Sequence, residues 1–166
     1  MISPEWVRMM ARYNAWQNSG LRRDVQALDP EEAARDRGAF FGSILATCNH
    51  LLWGDEIWLS RFAGHARPPG GIRDSMTLTP DVAAWAARRE AVDTAITAWG
   101  DGLEDCEGEI VWFSGAIGRE VGRSRSMLYT HFFNHQTHHR GQIHAMLTAA
   151  GARPDDTDLA FMPGLD

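Results

Sequence analysis

Apolar residues recur at three- and four-residue steps through four long segments of the chain, the pattern of helices with one buried face. The first segment runs from Pro4 to Ala27, with Trp6, Met9, Met10, Tyr13, Trp16 and Leu21 on the apolar side. Ser3 suits its N-cap and Pro4 its first position, and Asp29-Pro30 breaks the pattern. The second runs from about Phe40 to Ala63, with Ile44, Leu51, Ile57, Trp58 and Phe62 inside. The stretch from Gly64 to Gly71, with Pro68 and Pro69, reads as a linker loop. The third opens at Thr79-Pro80-Asp81, read as a cap, a first-turn proline and a first-turn acid, and continues to about Leu103. Between Glu107 and Arg123 the period changes. Ile110 to Phe113 and Glu120-Val121 flank a turn of small residues, Ser114 to Gly118, which predicts a small β-hairpin. The fourth segment runs from Ser124 or Ser126 to Ala150, with Gly151 as its C-terminal cap. The tail after Pro154 is expected to lie as a loop against the body. These elements predict an all-α, four-helix bundle, residues 1–166 as one domain, with connections long enough for a crossover.

Composition narrows the chemistry. With 44% hydrophobic and 23% charged residues in 166, the chain can bury a core without disulfides or a structural metal. All sixteen basic residues are arginine, so lysine nucleophiles and Schiff bases are excluded. The net charge of −6 and the absence of a basic cluster argue against nucleic-acid binding. Two cysteines, Cys48 and Cys106, make no disulfide framework. No apolar run approaches membrane-spanning length and no charged leader precedes one, so the expected compartment is the cytoplasm.

Five of the seven histidines fall in the fourth segment. At about 100° per residue, Leu128, Phe132, Ile143 and Met146 form its apolar stripe, and His135 and His139 lie within about 45° of the stripe's centre. Gln142 flanks the stripe, His131 and His138 sit near its edge, and His144 lies opposite. Two imidazoles in a buried stripe need partners, because an unsatisfied buried polar group costs about 1–3 kcal/mol. Histidines at i and i+4 can share one metal ion. His131 and His135 have the same spacing, so helical phase alone favours His135 with His139. A third ligand is expected from another helix, and His50 lies on the apolar side of the second, with Gly54 one turn later leaving space. A lone inward histidine such as His50 is also an ordinary hydrogen-bonded core residue. Arg61, three turns beyond His50, suits either an anionic substrate or, more simply, a salt bridge. Gln142 suits a hydrogen bond to a ligand ring or a bound water. Cys48 points away from His50 and reads as a small buried or surface residue rather than a ligand, Tyr13 with Trp16 as packing, and Asp155-Asp156 as solvated tail.

The run Tyr13-Asn14-Ala15-Trp16-Gln17-Asn18, the run Asn49-His50-Leu51-Leu52-Trp53-Gly54-Asp55, and the run Asn134-His135-Gln136-Thr137-His138-His139-Arg140-Gly141-Gln142 together resemble the DinB (damage-inducible) or YfiT-like metalloenzymes over nearly the whole chain. The resemblance implies a four-helix bundle with a crossed connection, commonly a homodimer. It also implies one divalent ion, zinc or nickel among those reported, on His50, His135 and His139. Its relatives include transferases and isomerases that use low-molecular-weight thiols. The expected function is therefore metal-dependent thiol S-transfer on a small molecule, with Gln142 or Arg61 orienting the substrate. A metal-dependent hydrolase ranks below it, since neither Asp55 nor Glu56 points toward the triad and a general base would have to come from the third helix or the tail. A non-catalytic metal- or ligand-binding role in stress response is the third reading.

Overall fold

The computed structural model describes residues 2–115 and 117–164. It is mostly helical, with five helices and one two-stranded antiparallel sheet. Helix α1 spans Pro4–Gln26, α2 Pro30–Ala34, α3 Ile44–Phe62, α4 Val82–Asp101 and α5 Arg125–Ala149. Strands β1, Glu109–Ser114, and β2, Arg119–Ser124, lie between α4 and α5. Ala116, within the predicted hairpin turn, lies outside the described residues. The long helices pack α1 against α4 and α5, and α3 against α4 and α5.

Side-chain caps set most of the boundaries. Ser3 accepts from the Trp6 N–H at 3.3 Å, as the sequence suggests. The second long helix begins at Ile44 rather than Phe40, because Ser43 accepts from the Ala46 N–H at 3.1 Å. The residues before it, Ala39 to Gly42, form a tight turn closed by a Gly42 N–H to Ala39 C=O bond, with Gly42 at φ 78. That turn leaves Phe40 and Phe41 off the helix. Asp29-Pro30 ends one helix and starts another: Asp29 accepts from the Glu31 N–H at 2.8 Å and caps α2. The third long helix is capped by Asp81, which accepts from the Ala84 N–H at 2.8 Å, not by Thr79. Thr79 instead donates its hydroxyl to Asn49 Oδ1 at 2.7 Å. Gly151 takes φ 87 just past α5, the conformation a C-terminal glycine cap requires.

The core joins all four long helices. Val7 and Ala11 of α1, Ile44, Leu51 and Leu52 of α3, Trp85 and Ile96 of α4, and Phe132, Phe133 and Ile143 of α5 are all buried. Each such large side chain contributes roughly 1.5–3 kcal/mol by leaving water. Cys48 belongs to this core, and burial pushes its thiol pKa up, so it is inert packing. The tail does lie against the body: Tyr13 Oη donates to the Thr157 carbonyl at 2.6 Å, and Gln17 Nε2 to that of Asp156 at 3.2 Å. Asp155, read from the sequence as solvated, accepts from Arg23 Nη1 at 2.9 Å. No described helix is long and apolar enough to cross a membrane.

Candidate metal centre

Helices α3 and α5 lie side by side, and their facing surfaces bring His50, His135 and His139 together. One ring nitrogen from each lies within 4.8 Å of the others. Ring centroids are 4.4 Å apart for His135 and His139, 4.9 Å for His50 and His139, and 5.4 Å for His50 and His135. His50 and His139 are buried, and His135 is half-buried. Gly54 makes the approach possible. A Cβ there would stand 2.9 Å from His135 Cε1, closer than real Cβ contacts come. The space foreseen beside His50 at Gly54 is taken up by the His135 ring from the opposite helix.

Neighbouring hydrogen bonds decide which ring nitrogens carry lone pairs. His139 Nδ1 is 2.7 Å from Gln142 Oε1, which only accepts, so Nδ1 carries the proton and Nε2 the lone pair. His50 Nδ1 is 2.9 Å from Ser75 Oγ. That hydroxyl already donates to the Ile72 carbonyl at 2.6 Å, so it accepts from His50, whose Nε2 is again the free base. His135 Nδ1 is buried with no hydrogen-bond partner among the described residues. Burial and the neighbouring imidazoles push His50 down to about 4 and His135 to about 3, and burial lowers His139 as well. All three are neutral at pH 7, the form that binds metal.

These residues fit a metal ion. Three uncharged imidazoles converge, two are oriented by partners on their far nitrogens, and the third has a buried nitrogen that nothing else satisfies. Three protein ligands also leave a coordination position open. The set suits several first-row metals and does not select one. Among the described residues no carboxylate or cysteine joins the cluster. Asp55 is committed to Arg89 at 2.5 Å and Gln136 at 2.8 Å, and Glu56 to Arg88 at 2.6 Å. His131 is exposed, its ring centroid 5.9 Å from that of His135, and it falls outside the convergent set.

The cluster forms one end of an open cavity of about 1050 Å³. Phe41 stacks on His50 with ring centroids 4.0 Å apart, and Trp53 holds the following loop by donating to the Pro69 carbonyl at 3.1 Å. Arg61 lines the same cavity but makes no salt bridge among the described residues, contrary to the simpler expectation. Its guanidinium lies 4.4 Å from the Trp58 ring centroid and 5.0 Å from that of Trp112. Trp112 reaches there because β1 passes beside α3. Sequence reasoning missed Phe41, Ser75 and Trp112 as parts of this site. They come from a turn, a loop and a strand, none of which has the helical period that singled out the histidines.

No individual curated protein matches the chain. The model of the DinB family matches residues 4–164, nearly the whole length, and includes every residue of the histidine cluster. By that match, and with a histidine cluster able to hold a metal ion between its second and last long helices, the chain belongs to the DinB family.

Proposed function

We propose that the protein is a metal-dependent enzyme of the thiol S-transfer type, acting on a small molecule in the cavity beside His50, His135 and His139. The observation that carries this reading is the donor set itself: three neutral histidines with an open side toward a cavity, and no carboxylate among them. A divalent ion held there, zinc or nickel being the first to test, supplies Lewis acidity that lowers a bound thiol's pKa. Ser75 and Gln142 hold the His50 and His139 rings with their lone pairs facing the cluster. Phe41 covers the His50 ring and limits water there. Four long helices packed in this way are read as a bundle with a long crossover, and a homodimer in the cytoplasm is the proposed working form.

Hydrolysis is the second reading, and one observation favours it. Asp74 brings a carboxylate to the cavity, which neither α3 nor α5 supplies. Its Oδ2 accepts from the Gly71 N–H at 2.8 Å, so it shapes its own loop, and hydrolysis ranks second.

The test begins with metal content in protein purified without a polyhistidine tag. One ion per chain is expected in the wild type, with under a tenth of that in His135→Ala. Metal-loaded wild type should then consume a thiol with an electrophile panel, and His135→Ala should not. Absence of bound metal after incubation with zinc, nickel and manganese would end both enzymatic readings. Turnover of esters or amides without a thiol would favour hydrolysis.

A further inference from the structure

The side chains lining the cavity carry a fixed charge opposite to that of the protein. The chain carries a net −6, yet among the described residues the charged side chains lining the cavity are Arg61, Arg67 and Arg73 against the single acid Asp74. None of these three arginines forms an ion pair or hydrogen bond among the described residues. Exposed arginines such as Arg12, Arg119 and Arg153 are unpaired among the described residues too, but the buried or half-buried ones outside the cavity have partners: Arg88 is bound by Glu56, Arg89 by Asp55 and Asp93, and Arg140 by Asn14. Arg61 is also half-buried, and burial together with the charge of Arg67 pushes its pKa down to about 10. An unpaired cation in that position is costly, and an oxyanion would relieve the cost.

The geometry suits an oxyanion. Trp58 and Trp112, with ring centroids 5.6 Å apart, both contact the guanidinium and hold it by cation–π attraction. A guanidinium held against ring faces keeps its edge N–H groups free for two parallel bonds to a carboxylate or phosphate. The wall then continues to the histidines. The Trp58 centroid is 5.4 Å from that of His131, which in turn is 5.9 Å from that of His135. Helical side chains lean toward the N-terminus, so Arg61 reaches back along α3 over Trp58, toward the cluster. With His135 packed at the level of Gly54, the two ends of the cavity are separated by on the order of 10 Å along α3.

We propose that the cavity selects a small molecule with a terminal oxyanion: Arg61, with Arg67 beside it, grips the anion, and an apolar body lies on the Trp58 and Trp112 wall with its far end at the histidines. This rests on the cavity being the substrate site, but not on the identity of the metal or of the reaction.

The test is calorimetric binding to chelator-treated protein, so that the metal plays no part. The probes are hexanoate, hexyl phosphate and the neutral hexanamide. At least one of the two anions should bind the wild type tenfold or more tightly than hexanamide, and the tighter of the two names the oxyanion. In Arg61→Gln that preference should fall to within about twofold, with hexanamide affinity and the circular dichroism spectrum unchanged. Should Arg61→Gln fail to fold, the wild type still decides: raising salt should weaken the anion and leave hexanamide alone. Equal affinity for anion and amide, an anion preference kept in Arg61→Gln, or an anion affinity indifferent to salt would each overturn the proposal. Because no metal is present, these results stand apart from the thiol-transfer assay.

Discussion

At the residue scale, the site depends on one missing side chain. A methyl group at Gly54 would stand 2.9 Å from His135 Cε1, with the backbone of α3 behind it, so the imidazole must move. Gly54→Ala should therefore keep the fold, since alanine favours helix by about 1 kcal/mol over glycine. Metal affinity should still fall at least tenfold, which competition with a chromophoric chelator would show; unchanged affinity would mean that His135 is not held where the structure places it. Protonation gives a second test at this scale. The three imidazoles titrate below the ordinary 6.5, His50 near 4 and His135 near 3, so in metal-free protein the unfolded chain takes up their protons first. Stability is then full above pH 6.5 and falls as the pH drops from 6.5 toward 3. Urea midpoints of chelator-treated protein should be lower at pH 4.5 than at pH 7, and His135→Gln should narrow that difference. An equal gap in the variant would place the acid sensitivity elsewhere.

At the scale of elements, α3 positions not only a ligand but also the loop that orients it. Asn49, one residue before His50, donates from Nδ2 to the Met76 and Thr79 carbonyls at 3.1 and 3.2 Å. Its Oδ1 accepts from the Thr79 N–H at 3.2 Å and from the Thr79 hydroxyl. The 3₁₀ turn Ser75–Thr77, which these bonds hold at Met76 and just after it at Thr79, presents Ser75 to His50. Asn49→Ala leaves several buried polar groups unpaired and should cost about 2–3 kcal/mol. Thermal denaturation would register that loss. Hydrogen exchange should rise over residues 72–79 while α1 and α4 stay protected; protection unchanged in that loop would show that Asn49 is not its anchor. The sequence makes the helix around Asn49 legible through its apolar period, but an asparagine beside a histidine carries no sign of a loop about thirty residues away.

At the scale of the whole molecule, one buried polar chain crosses all four long helices. Asn14 and Asn18 of α1 donate to Asp93 Oδ1 of α4, at 3.4 and 2.8 Å. Arg89 of α4 bridges Asp93 at 2.9 Å and Asp55 of α3 at 2.5 Å. Asp55 also accepts from Gln136 of α5 at 2.8 Å, and Arg140 of α5 returns to Asn14. Arg89 and Asp55 are 1% and 0% exposed at their side chains, so each depends on the other for solvation. Removing one partner of such a pair costs about 3–5 kcal/mol. Asp55→Ala should accordingly lower the unfolding free energy by about 3 kcal/mol or prevent folding, as urea denaturation would show. Asp55→Asn, which keeps the hydrogen-bonding shape, should lose less, and equal losses in both would mean that the charge, not the shape, is what the network requires. Gln136 sits next to His135 on the same helix, so this network also fixes the rotation of α5 that points His135 and His139 inward.

Much of this was legible in the residues alone. Helical period set the four long helices, because each must bury one face, and phase within α5 put His135 and His139 on that face. Change of period marked the hairpin between residues 107 and 123, and the runs around His50 and His139 carried the family. Tertiary structure decided the rest: that Gly54 makes room for His135, that Phe41, Ser75 and Trp112 reach the cluster and its cavity, and that Arg61 meets two tryptophans instead of a carboxylate. The physical reason is range. Periodicity and caps act over a few residues, whereas the partners of a buried polar group are chosen by whichever segments the packing brings together.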